Sequence, residues 1–344
     1  MGEGMRNPLR GAAAAAAAAV LLFLAGCGER VLPPEPRVVA LFHDVTVHFT
    51  PDDSTLFDSP FASARDKGRV MVTYREMAAD RADGKVVLRL NVRPIRKDIR
   101  NMVDRWDRAG WIRLVKPGMA PVELARFMTA YGGAISHEVD VTHLAPLLTG
   151  HCEFEVFIDT WVSPAWKVDA DLVFTPDDVG GINTPAWAAG ALFPDGGLTA
   201  ENPSAAAEVV IPEHTRWVEV AAITTGHCTD GSDADEFITK DNVLLVDGVE
   251  VARWRPWRDD CEDFRTVNPY CAKWADGSWS SDYSRSGWCP GDVTDPVFID
   301  LSPWLTPGRH TLAWTVEDIR AKDPADPEGH HGYWRVSASV SGWK

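Results

Sequence analysis

Two stretches of this chain, 160 residues apart, carry the same pattern, and that repeat limits the fold more than any other feature. Val139-Asp140-Val141-Thr142, Leu144, Leu148-Thr149 and Gly150 recur as Ile299-Asp300-Leu301-Ser302, Leu305-Thr306 and Gly308. Each copy then enters an alternating run, Glu153 to Asp159 in the first and Thr311 to Glu317 in the second, with an acid nine residues after the glycine. A period this long fits two related domains and not a solenoid. Alternation with period two is the pattern of a strand with one buried face, and it recurs with continuous apolar runs in Lys85 to Val92, Glu153 to Trp161, Trp217 to Thr224 and Trp334 to Ser341. Asn242 to Val246, Asp247-Gly248 and Val249 to Val251 read as a hairpin closed by a tight turn. Long helical periodicity is absent, so the expectation is an all-β chain of sandwiches or jelly rolls.

The seam between the two domains is expected in residues 179–206, which are loaded with Gly, Pro, Ala and Asn and show little strand pattern, as a linker would. This gives an N-terminal domain over 38–178 and a C-terminal domain over 207–344. Residues 1–26 read as a processing segment: Arg6 and Arg10, then an alanine-rich apolar run too short to span a bilayer comfortably. The run ends in Leu24-Ala25-Gly26-Cys27, which resembles the lipobox of bacterial lipoproteins, whose cysteine receives the lipid. On this reading residues 27–37 hold the anchor and a stiff tether with Pro33, Pro34 and Pro36, and the chain is an exported lipoprotein of the outer membrane or cell surface.

The chain of 344 residues carries a net charge of −16, and removal of Glu3, Arg6 and Arg10 takes away a net +1 and leaves −17. Such a surface repels phosphate backbones, which argues against nucleic-acid binding. Five cysteines follow Cys27, namely Cys152, Cys228, Cys261, Cys271 and Cys289. In an exported chain these suggest disulfides, and no C-x-x-C pair supports a zinc or redox site. No His-Glu-x-x-His, Gly-x-Ser-x-Gly or Walker sequence occurs. The acid-rich run Asp230 to Glu236 could hold calcium but lacks EF-hand spacing.

The C-terminal half contains Cys261, Asn268-Pro269, Gly277-Ser278-Trp279 and Arg285-Ser286-Gly287-Trp288-Cys289-Pro290-Gly291. These resemble the peptide-N-glycosidase F family, whose C-terminal domain has a cysteine before Asn-Pro, a Gly-x-Trp and an Arg-x-Gly-Trp-Cys-Pro-Gly run. In the N-terminal half, Asp104-Arg105-Trp106-Asp107-Arg108 looks like the family's Asp-x-Trp-Asp-Arg, and Glu138 to Thr149 and Thr160-Trp161 match its next strands. The resemblance implies two eight-stranded antiparallel jelly rolls side by side with an active cleft between them. It also implies an amidase without cofactor, which hydrolyses the bond between an asparagine side chain and the first N-acetylglucosamine of an N-glycan or glycopeptide.

Residue by residue, the resemblance puts Asp107 on the family's main catalytic aspartate, Glu236 on its catalytic glutamate and Asp159 where the family has another glutamate. It places Arg108, Trp161, Arg285, Trp288 and His227 on substrate-binding positions of the cleft and pairs Cys261 with Cys289. Cys152, Cys228 and Cys271 stay unassigned. Amide hydrolysis needs water activated, an oxyanion stabilised and an amine protonated, tasks that carboxylates and arginines in different environments can divide. Along the expected strand, Phe157, Asp159 and Trp161 share one face, so a carboxylate and a sugar-stacking ring would project together. Here the sequence departs from the family: 93–103 contain no cysteine, Ala234 and Ile238 replace cysteines flanking Glu236, and Asp159 is a methylene short. Two alternatives follow from those departures and from the fold, a catalytically inactive glycan-binding lipoprotein and a copper-dependent monooxygenase. Copper needs clustered His and Met ligands, a spacing the histidines do not show.

Overall fold

The structure, a computed structural model, describes residues 35–78, 84–98, 101–177, 184–228, 235–326 and 329–344. The expected export segment, Cys27 and most of the tether lie outside the described residues, as do Asp230 to Ala234 of the acid-rich run and 179–183 of the expected linker.

Nearly all regular structure is antiparallel strand. The N-terminal half supplies β1 (Arg37–Val47), β2 (Ser63–Arg65), β3 (Val70–Met77), β4 (Gly84–Pro94), β5 (Ala109–Val115), β6 (Val122–Met128), β7 (Ile135–Asp140), β8 (Gly150–Ile158) and β9 (Trp166–Pro176). The C-terminal half supplies β10 (Trp187–Leu192), β11 (Ser204–Ile211), β12 (Trp217–Cys228), β13 (Asn242–Val246), β14 (Val249–Trp254), β15 (Val293–Thr294), β16 (Val297–Asp300), β17 (Gly308–Val316) and β18 (Gly332–Trp343). They form two sandwiches. In the first, the sheet β1-β9-β4-β7 packs on β15-β6-β5-β8-β3-β2; in the second, β10-β18-β12-β16 packs on β11-β17-β13-β14. Among the described residues the second is built from eight strands. The first has one strand more of its own, and β15 joins its edge from the C-terminal half, pairing Val293 with Phe127 and Thr294 with Arg126.

Each sandwich closes over its own apolar core, with Leu88, Leu124, Phe154, Trp166 and Leu172 in the first and Val220, Leu244, Leu312, Trp314 and Val340 in the second. Asp247 and Gly248 both take positive φ between β13 and β14, the conformation that a two-residue hairpin turn needs. The sequence repeat is a structural one. Asp140 Oδ1 accepts from the Thr142 amide at 3.0 Å and hydroxyl at 2.6 Å, and Asp300 Oδ1 accepts from Ser302 at the same two distances. Each hydroxyl then receives an amide of the neighbouring strand at 3.0 Å, Val86 on β4 or Val218 on β12. The shared pattern thus ends one strand and pins it to its neighbour before the next begins.

The linker expected over 179–206 is corrected by the structure: β10 and the start of β11 lie inside it, and β10 pairs with β18 over its whole length. Ala and Gly hide this strand because they favour strands weakly. They are needed because β10 lies flush on the first sandwich, where a side chain at Gly190 would overlap the Ala120 carbonyl and Val122.

Every residue of β6 is buried. One face enters the first core, and the other meets the second sandwich through a dry polar cluster. Arg126 and Glu123 form an ion pair at 2.6 Å with each side chain 1% exposed. Arg126 donates further to Thr225 Oγ1 at 2.9 Å and to the Arg335 carbonyl at 2.7 Å, while Ser337 donates to Glu123 Oε2 at 2.5 Å. Removing one member of such a pair leaves a buried charge unpaired, which costs about 3–5 kcal/mol. Arg126→Met should therefore lose about that much stability in urea unfolding at neutral pH; a change under 1 kcal/mol would show that the pair does not secure the seam.

Candidate active site

Asp107 sits in the loop before β5, which is fixed from below by Asp104. That carboxylate is buried and accepts from Arg108 Nε at 3.0 Å, Thr160 Oγ1 at 2.7 Å and the Trp106 amide at 3.2 Å. Thr129, just past β6, donates to the Trp106 carbonyl and accepts from the Arg108 amide, each at 2.7 Å. These contacts hold the loop without the disulfide whose absence the sequence shows.

Glu236 comes from the loop after β12. Its neighbour Asp235 turns inward, buried and bonded to Trp334 Nε1 at 3.1 Å, while the Glu236 carbonyl accepts from the Ser286 amide at 2.8 Å. One residue of the acid-rich run is thus an anchor, and the next is presented to the cleft.

The two acids, one from each sandwich, meet at Arg285. Its guanidinium is buried, 3.2 Å from Glu236 Oε1 through Nε and 3.8 Å from Asp107 Oδ2 through an Nη. The Tyr283 and Ser280 carbonyls take its remaining donors at 2.6 and 2.8 Å, and the Trp288 and Phe237 rings lie 4.8 and 5.1 Å from it. Burial raises the pKa of Asp107 against the pull of Arg285, and Tyr131 donates a hydrogen bond to it. Burial first, and then the charge of Asp107, push Glu236 up to about 7 against Arg285. The Cys228 thiol donates to Glu236 Oε2 at 3.5 Å. Two carboxylates this close, one cation between them, titrate as a pair that holds a proton into the neutral range.

Two clefts meet at this pair, and both are lined by Asp107 and Glu236. The smaller, about 550 Å³, also contains Arg108, Asp159, Trp161 and Arg335. The larger, about 1190 Å³, is rich in aromatic side chains, among them Trp106, Trp257, Tyr270 and Trp274. Asp159 accepts from Arg69 at 3.1 Å and Arg335 at 2.9 Å, a double clamp that fixes the short acid. β8 ends at Ile158, so Asp159 and Trp161 lie beyond the strand expected to carry them. Phe157, Asp159 and Trp161 nevertheless line one common hollow, gathered around Arg69. Trp161 is 57% exposed, with Phe49 and the Arg69 guanidinium beside its ring at 5.2 and 4.8 Å.

Two residues expected to bind substrate turn out to be packed. Trp288 is 3% exposed, with its indole N–H committed to the Gly226 carbonyl at 2.9 Å. His227 lies between the rings of Trp288 and Tyr333, accepts or donates at Thr225 Oγ1, and is kept neutral by burial and by Arg335 and Arg126. Both form the floor of the smaller cleft and offer little surface. The Cys261–Cys289 disulfide is present, while Cys152 and Cys271 are buried thiols. Tyr131 and Arg69 lie just outside strands and Arg335 lies inside β18, and none carries a mark in the sequence because its placement comes from tertiary packing. Asn268 of the Asn-Pro pair is a buried staple, accepting from the Tyr131 amide and donating to the Phe264 and Pro290 carbonyls, each at 2.8 Å.

Two paired β-sandwiches bring carboxylates together at their seam, an architecture that recurs among known proteins. The family description Peptide-N-glycosidase F, C terminal, matches residues 198–341, and Peptide-N-glycosidase F, N terminal, matches 114–174. Together they span more than half of the chain, which belongs to the peptide-N-glycosidase F family. A solved structure of PNGF-II is similar with a TM-score of 0.78 at 21% identity, covering 90% of this chain and 66% of that one. The chain thus spans just under two thirds of that relative. PNGase F, a glycosylasparaginase from Flavobacterium meningosepticum, gives a TM-score of 0.65 at 16% identity, covering 90% and 96%. No curated protein matches the sequence.

The raised pKa of Glu236 also makes stability depend on pH. Between its ordinary 4.5 and about 7 the unfolded chain gives up this proton while the folded chain keeps it. The contribution is therefore full below 4.5 and lost as pH rises to 7. Glu236→Gln should melt with wild type near pH 4.5 and a few degrees above it at pH 8, a gain on the order of 2 kcal/mol. Parallel melting curves across that range would contradict the assignment.

Proposed function

We propose that this chain is an amidase that hydrolyses the glycosylasparagine linkage of N-glycoproteins or glycopeptides. The observation that carries this reading is the meeting of Asp107 and Glu236, one from each sandwich, on a buried arginine where two clefts join. Water adds to the asparagine side-chain carbonyl, the C–N bond breaks, and the asparagine becomes aspartate as the glycosylamine leaves with a proton. Asp107, 13% exposed at the junction, orients the water and takes its proton. Glu236 shares the proton of the pair and returns one to the departing amine. Arg285 offsets the negative charge that builds on the carbonyl oxygen and keeps the two carboxylates together. Trp161 stacks on the apolar face of the first sugar, while Asp159 and Arg108 meet its hydroxyls.

Release of N-glycans from a denatured glycoprotein by residues 28–344 tests the reading. Asp107→Ala should lose at least a hundredfold in rate. Glu236→Gln should lower the plateau of kcat/KM and remove its alkaline limb near pH 7, which reports loss of the Glu236 proton. Glycan binding without release, unaltered in Asp107→Ala, would instead identify a sugar-binding protein. The N-terminal reading belongs to the same proposal: residues 1–26 direct export and Cys27 carries the lipid. In a bacterial host, labelled palmitate should enter the full chain and not Cys27→Ser; equal labelling would remove the anchor.

A further inference from the structure

We propose that the larger cleft is a polypeptide subsite, which makes glycopeptides with large apolar side chains beside the glycosylated asparagine the preferred substrates. This rests on the amidase reading and adds the identity of the aglycone. Trp106, Ile238, Trp257, Tyr270, Trp274 and Tyr283 line the cleft, each between 37% and 51% exposed. Apolar surface gathered on one concave wall marks a binding site, whereas scattered exposed residues do not.

The two clefts differ in a way that assigns their occupants. The smaller one arranges charged donors and acceptors around a single exposed indole, as suits a sugar ring with an apolar face and a rim of hydroxyls. In the larger one the charges are Arg105, Asp107, Glu236 and Arg285, and the rest is aromatic or aliphatic except for Ser280 and Ser284. The scissile amide joins a sugar to a polypeptide, and the acids stand where the clefts meet. The two halves of the substrate must therefore leave in different directions, the sugar into the polar cleft and the polypeptide along the apolar wall. An extended chain rises about 3.3 Å per residue, so only a few residues on one side of the asparagine lie against it.

The wall is built in advance. The Cys261–Cys289 disulfide closes the segment that carries Tyr270, Trp274 and Tyr283. Within it the Trp274 amide bonds the Ser278 carbonyl at 2.9 Å, Ser278 Oγ meets the Tyr283 hydroxyl at 2.9 Å, and the Tyr270 amide donates to the Tyr131 carbonyl at 3.1 Å. A rigid aromatic surface loses little freedom on binding.

The test uses synthetic glycopeptides with one common chitobiose-bearing asparagine and Phe, Leu or Ser at the flanking positions on either side. Their affinity for Asp107→Asn is measured by calorimetry and their hydrolysis by the wild type. Phe or Leu on one side should improve affinity and lower KM about tenfold relative to Ser, with kcat nearly unchanged. Trp274→Ala and Trp257→Ala should narrow that ratio. Equal affinity for all flanks, or affinity that rises with added sugars and falls in the same two variants, would overturn the proposal. Flank-dependent binding with no hydrolysis by the wild type would keep the subsite and discard the amidase, so the two readings fail separately.

Discussion

Glu123 and Arg126 lie on a strand buried on both faces, and their charges are met across the seam by Thr225, Ser337 and the Arg335 carbonyl. The cluster is buried, so each of its polar groups depends on a partner within the protein. The cluster leads outward to the clefts on two paths. Thr225 also bonds His227, the floor of the smaller cleft, and Arg335 sends its guanidinium to Asp159. A shift of one sandwich against the other would thus disturb the polar seam and the site together. Apolar packing alone would tolerate sliding; a buried ion pair with three further partners does not.

Arg285 does for the acids what Arg126 does for the seam. Bringing two carboxylates out of water toward one another is unfavourable, and the raised pKa values of both record that cost. A planar guanidinium can face one acid through Nε and the other through an Nη while backbone carbonyls saturate its remaining donors, a geometry an ammonium cannot reproduce. The disulfide fixes the loop around it, and Asn268 ties that loop to the strand end bearing Tyr131. The candidate site is assembled from three loops, each anchored by a buried polar residue: Asp104, Asp235 and Asn268.

Much of this was legible in the chain itself. Alternation marked β4, β12 and β18, Asp247-Gly248 marked the hairpin, and the repeated Asp-x-Thr/Ser marked two equivalent strand ends because the same side-chain bonds recur there. The Trp-Asp-Arg and Arg-x-Gly-Trp-Cys stretches pointed to Asp107, Arg285 and the disulfide. β10 was missed because its small residues answer to a surface elsewhere in the chain and not to its own sheet. The family resemblance puts Trp288 and His227 on binding positions of the cleft, but burial commits both to packing. Arg69 and Arg335 carry no local mark, since only the folded chain brings them to Asp159.

The short strand β15 has a consequence for how such a chain comes to its native state. It completes the edge of a sheet whose other strands all lie before residue 159, so that edge has no partner until the polypeptide has been made almost to residue 294. Contacts this distant in sequence close slowly, and an open β6 edge is a template for pairing with another molecule in the interval. A growing chain would leave that edge open while residues 129–294 are made, and the first sandwich is finished only by the second.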